Sequence, residues 1–188
     1  MPTYLHCAPP LALAAALGRR RVPASLMLAG VAASILPDAD MLNVWYAGVR
    51  YSSVLGHRGL THSIGFALAL GLLAALAARR CGWRRGIAFL FIAASAASHP
   101  LLDLLTDRGI GTALFYPLLD RRVTLPWRPL PLTGAGLFGT ARLWLECLWI
   151  GLPMLTLATL GAALRQRLDR KQPLQQGAAM ATARASAD

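Results

Sequence analysis

The chain has 188 residues, of which 56% are hydrophobic and only 14% are charged, and its formal net charge is +11. Soluble domains carry about 25% charged residues, so this composition argues against an ordinary soluble enzyme. The length allows one domain, and three scattered cysteines (Cys7, Cys81 and Cys147) argue against a disulfide framework or a thiolate zinc site.

The positive charge does not predict nucleic-acid binding. Of the nineteen basic residues, eighteen are arginine, and many of them cluster at the ends of apolar segments. Membrane proteins place their basic residues at such positions. We therefore expect membrane lipid around the protein and no nucleic-acid partner.

Five apolar stretches follow one another along the chain: residues 5–17, 24–36, 60–78, 86–105 and 143–164. A membrane-spanning helix needs about 20 residues, so the first two stretches are too short to cross a bilayer unaided. The second is expected to stop at Pro37, because proline interrupts helices. The basic residues follow the first stretch, which is unlike a signal peptide. The pattern predicts an all-α fold, a multi-pass bundle of about four to five apolar helices.

Residues 107–142 interrupt the apolar pattern with frequent glycine and proline. Such composition breaks helices, and interleaved aromatic residues favour the membrane interface. We expect an irregular loop, either a plain connection or short interfacial helical pieces over a site. Residues 1–171 are predicted to form one membrane-embedded domain, and the polar residues 172–188 a disordered tail.

Histidine and aspartate are concentrated in three short motifs. The motifs are Leu-Pro-Asp38-Ala-Asp40, Gly-His57-Arg58-Gly-Leu-Thr-His62-Ser and Ser-His99-Pro-Leu-Leu-Asp103-Leu-Leu-Thr. Imidazole and carboxylate groups together bind zinc, manganese or iron. Ionisable residues inside an apolar chain are costly, which indicates a function. The leading hypothesis is a metal site at one end of a helix bundle.

The spacing within two motifs would let both residues of a motif bind the same ion. His99 and Asp103 are four residues apart and would lie on one face of a helix, although a His–Asp pair can also simply stabilise a helix. Asp38 and Asp40 follow an apolar stretch, where they could chelate an ion or cap the next helix. Asp107, one turn beyond Asp103, would support the ligands or lie at the surface.

The glycines beside His57 predict a turn, which would let His57 and His62 converge although they are five residues apart. Arg58 between them could clamp a phosphate or oxyanion, or be a loop cation or a partner of Asp40. His6 is a lone histidine near the N-terminus. It is favoured as a ligand only because it is expected on the same side of the membrane as the other motifs.

The distribution of basic residues predicts the orientation. Three short connections, residues 19–21, 79–85 and 165–171, carry eleven basic residues. If the helices alternate, these connections share the cytoplasmic face. The histidine and aspartate motifs then lie together at the non-cytoplasmic face of the inner membrane.

The order of these motifs resembles a family of metal-dependent hydrolases of the bacterial inner membrane, some of which are LexA-regulated. The resemblance covers about residues 5 to 120 and includes Gly109 and Tyr116-Pro117. It implies a multi-pass membrane protein with a hydrolytic metal site. The implied ligands are His6, Asp38, Asp40, His57, His62, His99 and Asp103. Pro9-Pro10, soon after His6, departs from the expected first helix.

A more distant likeness is to the zinc-dependent phospholipase C and P1 nuclease group. The later ligands of that group have no counterpart, since no histidine follows His99. The expected activity is hydrolysis of a phosphoester or lipid head group by metal-activated water, with zinc most favoured and manganese as an alternative. Asp40 or Asp103 would act as general base, and Arg58 would stabilise negative charge. A small ion or proton transporter and a purely structural metal site are the alternatives.

Overall fold

The computed structural model describes residues 3–106, 109–130 and 144–185. Its helices are α1 (Ala8–Leu17), α2 (Ala24–Ile35), α3 (Met41–Tyr46), α4 (Ile64–Ala77), α5 (Arg85–Asp103) and α6 (Leu152–Ala185). Short 3₁₀ turns cover Thr3–Cys7, Leu36–Asp40 and Leu60–His62, and a π-helical turn, Cys147–Gly151, precedes α6. The described residues contain isolated β-bridges but no strand, which confirms the predicted all-α class.

Three helical segments are long and apolar enough to cross a membrane: Ala24–Tyr46, Arg85–Asp103 and Trp144–Arg170. Two shorter apolar helices, Leu5–Leu17 and Ile64–Ala77, accompany them. Together they give the four to five apolar helices that the sequence predicts.

The α-helix of the second apolar segment ends just before Pro37, as predicted, but the helical segment is longer than residues 24–36. The α-helix ends at Ile35, but the chain continues through the 3₁₀ turn and α3 to Tyr46. Pro37 occupies one of the first positions of this turn, where a missing N–H costs little. Pro9 and Pro10 lie in the first turn of α1 for the same reason, so they begin the first helix instead of disrupting it.

Helix α5 is the centre of the bundle and packs on α1, α2 and α4. Small residues allow close approach: a Cβ on Gly30 of α2 would lie 2.3 Å from the ring of Phe91, and one on Gly71 of α4 would lie 2.9 Å from Ala93. Close packing through small residues is typical of membrane helices, because lipid provides no hydrophobic force between them. These contacts fix the position of α5 relative to α2 and α4.

The described part of the region after α5 is an irregular loop, as predicted, and corresponds to the plain connection, not to the alternative of interfacial helical pieces. Residues 109–130 form turns held by an antiparallel bridge from Thr112 to Val123, and Leu130 bridges Thr106. Asp107 and residues 131–143 of the predicted loop lie outside the described residues. Helix α6 reaches Ala185 and so enters the tail predicted to be disordered; Ala, Gln and Arg have high helix propensity there.

Candidate metal centre

The histidine and aspartate motifs meet at one end of the bundle. His6 ends the N-terminal 3₁₀ turn, Asp38 and Asp40 lie in the turn after α2, and His62 precedes α4. Ser63 accepts a hydrogen bond from the backbone N–H of Phe66, which fixes the start of α4 directly after His62. His99 and Asp103 lie in the last turns of α5. The basic connections join the other ends of α1, α4 and α5.

His99 is held with one ring nitrogen directed into this cluster. Its Nδ1 donates a hydrogen bond to the carbonyl oxygen of Ser34, 2.7 Å away. This bond leaves the lone pair of the neutral ring on Nε2. The Nε2 atom lies 3.2 Å from Asp38 Oδ1 and makes no hydrogen bond among the described residues. A ring held in this way presents the tautomer that binds metals.

Asp40 organises the other two histidine positions. Its Oδ1 lies 2.9 Å from Nδ1 of His57, and its Oδ2 lies 3.1 Å from Nδ1 of His62. Oδ2 also accepts hydrogen bonds from the Thr61 hydroxyl at 2.9 Å and the Arg58 backbone N–H at 3.2 Å. Because these donors occupy both oxygens, Asp40 orients the two imidazoles, and Nε2 of His62 faces Asp38 and Asp103.

Asp103 lies among the three buried imidazoles. Its Oδ2 is 3.6 Å from Nε2 of His62 and 3.9 Å from Nε2 of His99, and its Oδ1 is 3.7 Å from Nε2 of His6. The guanidinium Nε of Arg58 lies 3.3 Å from Oδ2 and balances the buried charge. The carboxylate is therefore placed to share an ion with these histidines.

His6 belongs to the cluster although its sequence context is weak. Its ring stacks on that of His99, with centroids 3.6 Å apart and planes inclined by 15°. The side chain is buried, and neither ring nitrogen forms a hydrogen bond among the described residues. An unsatisfied buried imidazole is costly, and a bound metal ion would satisfy one of its nitrogens.

The donors form two overlapping groups that could hold a metal ion. One group contains Asp38, His57, His62 and Asp103, and the other contains His6, Asp38 and His99; within each group the ligand atoms lie within 4.8 Å of one another. Zinc bonds of about 2.0–2.1 Å in a tetrahedral site place neighbouring ligands about 3.3 Å apart. Within the groups, Asp38 lies 3.2 Å from His99 and 3.8 Å from His62, and Asp103 lies 3.6 Å from His62, all close to that spacing. The cluster therefore fits a divalent metal.

Arg58 has an unusual backbone and a buried side chain. Its φ is +61°, a left-handed conformation that is uncommon for a residue with a side chain, and only 4% of its surface is exposed. Besides Asp103 it contacts Thr106, whose hydroxyl accepts a hydrogen bond from Nη2 at 3.0 Å. Gly109 gives it room, since a Cβ there would lie 2.1 Å from Nη1. The guanidinium is thus fixed beside Asp103, and only the backbone of Arg58 contacts Asp40.

Asp38 is the most exposed carboxylate of the two groups, with 20% of its side chain accessible. It lines an open, largely apolar cavity of about 530 Å³ together with Ile35, Leu36, Leu42 and Trp45. The other two acids at the centre, Asp40 and Asp103, are almost fully buried. A molecule reaching the cluster from this side would therefore meet Asp38 first.

The carboxylates also control the charge of His62, which lies outside the candidate spans. Burial opposes protonation of its ring, but the carboxylates of Asp38, Asp40 and Asp103 outweigh that effect and raise the pKa of His62 above its ordinary value. Without a metal, this imidazole therefore retains a proton to higher pH than a free histidine does.

Three supporting residues were not predicted from the sequence. Ser34 contributes only a backbone carbonyl, so its side chain carries no signal, whereas Thr61 could have been noticed from its position inside the His57–His62 motif. Arg122 donates hydrogen bonds to carbonyl oxygens of Arg58 and Gly111, both at 3.1 Å, and to that of Ser52 at 2.9 Å. It joins the loop that carries His57 to the loop after α5, a contact that no local pattern indicates.

Comparison with known proteins places the chain among bacterial inner membrane proteins. It is 37% identical over 162 residues to "Inner membrane protein YbcI" of Escherichia coli (strain K12), an alignment that covers 81% of this chain and 92% of that protein. No solved structure matches it. The family described as YdjM inner membrane protein matches residues 1–170. The chain therefore belongs to the YdjM inner membrane protein family.

Proposed function

We propose that this protein is a membrane-bound, metal-dependent hydrolase that cleaves a phosphoester in a lipid or lipid-associated substrate. One observation carries the proposal: His62 and His99 each engage Nδ1 in a polar contact and direct Nε2 toward the carboxylates of Asp38 and Asp103. Carboxylate or carbonyl partners of this kind fix the tautomer and raise the basicity of metal-binding histidines.

The ligands in this proposal are the members of the two overlapping groups: His6, Asp38, His57, His62, His99 and Asp103. Zinc is the favoured ion, with manganese as the alternative. A bound divalent ion would lower the pKa of a water ligand to about 7 and polarise a phosphoryl oxygen. Asp40 has both oxygens engaged, so its role is positioning rather than proton transfer. Asp103 or the more exposed Asp38 would accept the proton of the water ligand.

The surroundings of the cluster favour an amphipathic anionic substrate. The apolar cavity beside Asp38 would accommodate an acyl chain at the level of the ligands. Arg58 supplies a fixed positive charge within 3.3 Å of Asp103, where it could stabilise a phosphoryl oxygen. A lipid phosphoester contains both features, an apolar chain and a negative head group.

The arginine distribution supports a non-cytoplasmic site. Arg19–Arg21 and Arg79–Arg85 lie at the helix ends away from the cluster, whereas residues 165–171, predicted to be a connection, lie within α6, where Arg165–Arg170 form the end of the candidate span Trp144–Arg170. Basic connections are retained on the cytoplasmic side. The active centre would then face the periplasmic side of the inner membrane.

A structural metal site is the second candidate function, and the burial of the donors favours it. His6, His62, His99 and Asp103 are each no more than 2% exposed. Structural zinc sites are closed, whereas catalytic sites keep a position open to water. The exposure of Asp38 is the feature that favours catalysis over this alternative.

Hydrolysis can be tested with the full chain in lipid nanodiscs. Protein loaded with zinc or manganese would be incubated with phospholipids and with a chromogenic phosphodiester, and product release would be measured. We expect metal-dependent turnover that falls at least 100-fold in Arg58→Gln and Asp38→Asn. Asp120→Asn, a substitution of an exposed acid outside the cluster, should retain full activity.

The two candidate functions predict different effects of chelation. A catalytic centre should lose turnover on chelation while its helical circular dichroism persists at room temperature. A structural site should show no turnover with any phosphoester at full metal content, and chelation should unfold the protein. The latter pair of results would overturn the hydrolase proposal.

A further inference from the structure

A second cavity lies at the end of the bundle away from the metal cluster. It has a volume of about 290 Å³ and is lined by Arg19, Arg20, Arg21 and Arg165, with Asp169 as its single acid. Along α1 it lies twelve residues from His6, or about 18 Å at 1.5 Å per helical residue. The lining carries an excess of three positive charges, which favours an anionic ligand.

The contact between α1 and α6 shapes this cavity. Gly18 follows α1 with φ of +79°, and a Cβ there would lie 2.1 Å from Nη1 of Arg165. This space lets Nη1 donate hydrogen bonds to the carbonyl oxygens of Ala15 at 3.0 Å and Ala16 at 3.1 Å. Arg165 thereby caps the C-terminal end of α1. The position of Arg165 in the cavity lining is thus fixed, and the three consecutive arginines, Arg19–Arg21, line the cavity as exposed residues.

An apolar groove adjoins the basic cavity. It has a volume of about 330 Å³ and runs between α1 and α5, where Leu13, Ile87, Leu90 and Phe91 line it. Leu17 and Arg21 line both the groove and the basic cavity, so the two are adjacent at these residues. Each volume is near the lower end of the range of about 300–1,000 Å³ that is typical of ligand sites.

We propose that these adjoining cavities bind one anionic phospholipid, with its phosphate among Arg19, Arg20 and Arg21 and an acyl chain in the groove. Arginine is well suited to phosphate because its planar guanidinium can donate two hydrogen bonds. Basic pockets between membrane helices on the cytoplasmic side recognise anionic lipid head groups. The apolar groove selects a lipid over a free phosphate, which has no group to fill it.

This lipid site is separate from the proposed hydrolase centre. It shares no residue with the metal cluster, and positive residues place it on the cytoplasmic leaflet. A lipid held there would also join α1 to α5 and α6. Its binding should therefore stabilise the bundle whether or not the protein is an enzyme.

Lipid retention can be measured by native mass spectrometry of the full chain released from detergent. The protein would be titrated with phosphatidylglycerol, with phosphatidylcholine of the same chains, and with inorganic phosphate. We expect phosphatidylglycerol to bind at least tenfold more tightly than phosphatidylcholine. Arg19→Gln/Arg20→Gln should abolish this preference, and Arg21→Gln should weaken it. Arg79→Gln/Arg80→Gln is the matched control, because these exposed arginines line neither cavity.

The groove is tested with Ala94→Phe, since Ala94 is exposed and lines the groove. A phenylalanine there should fill the groove and reduce phosphatidylglycerol retention at least fivefold, with no change in metal content. An equal loss of phosphatidylglycerol binding in the Arg79/Arg80 control would indicate that the lipid responds to general surface charge, and it would overturn the proposal. Full displacement by equimolar inorganic phosphate, with no effect of Ala94→Phe, would indicate a free-phosphate site and also overturn it.

Discussion

His99 donates its Nδ1 hydrogen to the carbonyl oxygen of Ser34 at 2.7 Å and directs Nε2 toward Asp38 at 3.2 Å. A single interhelical hydrogen bond thus determines both the tautomer of the histidine and the direction of its free lone pair. The bond also ties α5 to the last turn of α2, so the geometry of the cluster depends on how these two helices pack.

The number of donors leads to a prediction of metal content. The two groups contain six candidate donor residues, more than the four ligands of a zinc site, and they share Asp38. We expect two equivalents of zinc by mass spectrometry after reconstitution, and one or fewer in His99→Gln. Ser98→Ala should retain both, because the Ser98 hydroxyl bonds only to the Ser95 carbonyl oxygen. One equivalent in the wild type would show that the groups form a single site.

Asp40→Asn should weaken metal binding without removing a ligand. Asn presents one acceptor oxygen and one NH₂ group, so the NH₂ would face a donor nitrogen of His57 or His62. Loss of a carboxylate that orients histidine ligands typically reduces metal affinity 10- to 100-fold. Competition titration with a fluorescent zinc chelator would measure this. Unchanged affinity in Asp40→Asn, with Asp120→Asn as the reference, would contradict the positioning role.

Metal affinity should decrease as pH falls below neutrality. His62 must lose its proton to bind a metal, and nearby carboxylates raise its pKa above the ordinary value of about 6.5. The proton therefore competes with the metal from a higher pH than for a free histidine. Titrations between pH 8 and pH 6 should show affinity falling by up to about tenfold per pH unit for each proton displaced. Affinity independent of pH, with helicity intact, would exclude His62 as a ligand.

Much of the cluster could be predicted because several of its residues lie close together in the sequence. The four-residue spacing of His99 and Asp103 puts both on one helix face, and the glycines around His57 allow the turn that brings it near His62. The first pattern depends on helix periodicity, and the second on the close backbone approach that glycine allows, since a Cβ on Gly56 or Gly59 would lie 2.2 or 2.0 Å from a backbone carbonyl oxygen.

The arrangement of the predicted residues within the cluster depends on tertiary contacts. Asp38 and Asp40 are two residues apart in the same turn, yet only Asp40 accepts bonds from Thr61 and the Arg58 backbone. His6 gains its place by stacking on His99, 93 positions away in the chain. In both cases the neighbour that decides the outcome is distant in sequence, so no local pattern indicates it.

The contact between α2 and α5 gives a test of whether packing controls the metal cluster. Gly30 and Ser34 are one turn apart on α2, so they lie on the same face. A Cβ on Gly30 would lie 2.3 Å from the ring of Phe91, which is 1% exposed, and 2.9 Å from the hydroxyl of Ser95. Gly30→Ala should therefore push the helices apart, cost about 1–3 kcal/mol of stability and lengthen the bond from His99 to Ser34.

Thermal unfolding and metal titration of the same protein would separate these effects. We expect Gly30→Ala to lower both the melting temperature without metal and the zinc affinity. Gly86→Ala is the matched control, since no atom lies within 4 Å of the added Cβ near the start of α5. That substitution should leave metal binding unchanged and be neutral or slightly stabilising, because alanine favours helix over glycine by up to about 1 kcal/mol. If Gly30→Ala lowers stability but binds zinc normally, the position of His99 does not depend on the spacing of α2 and α5.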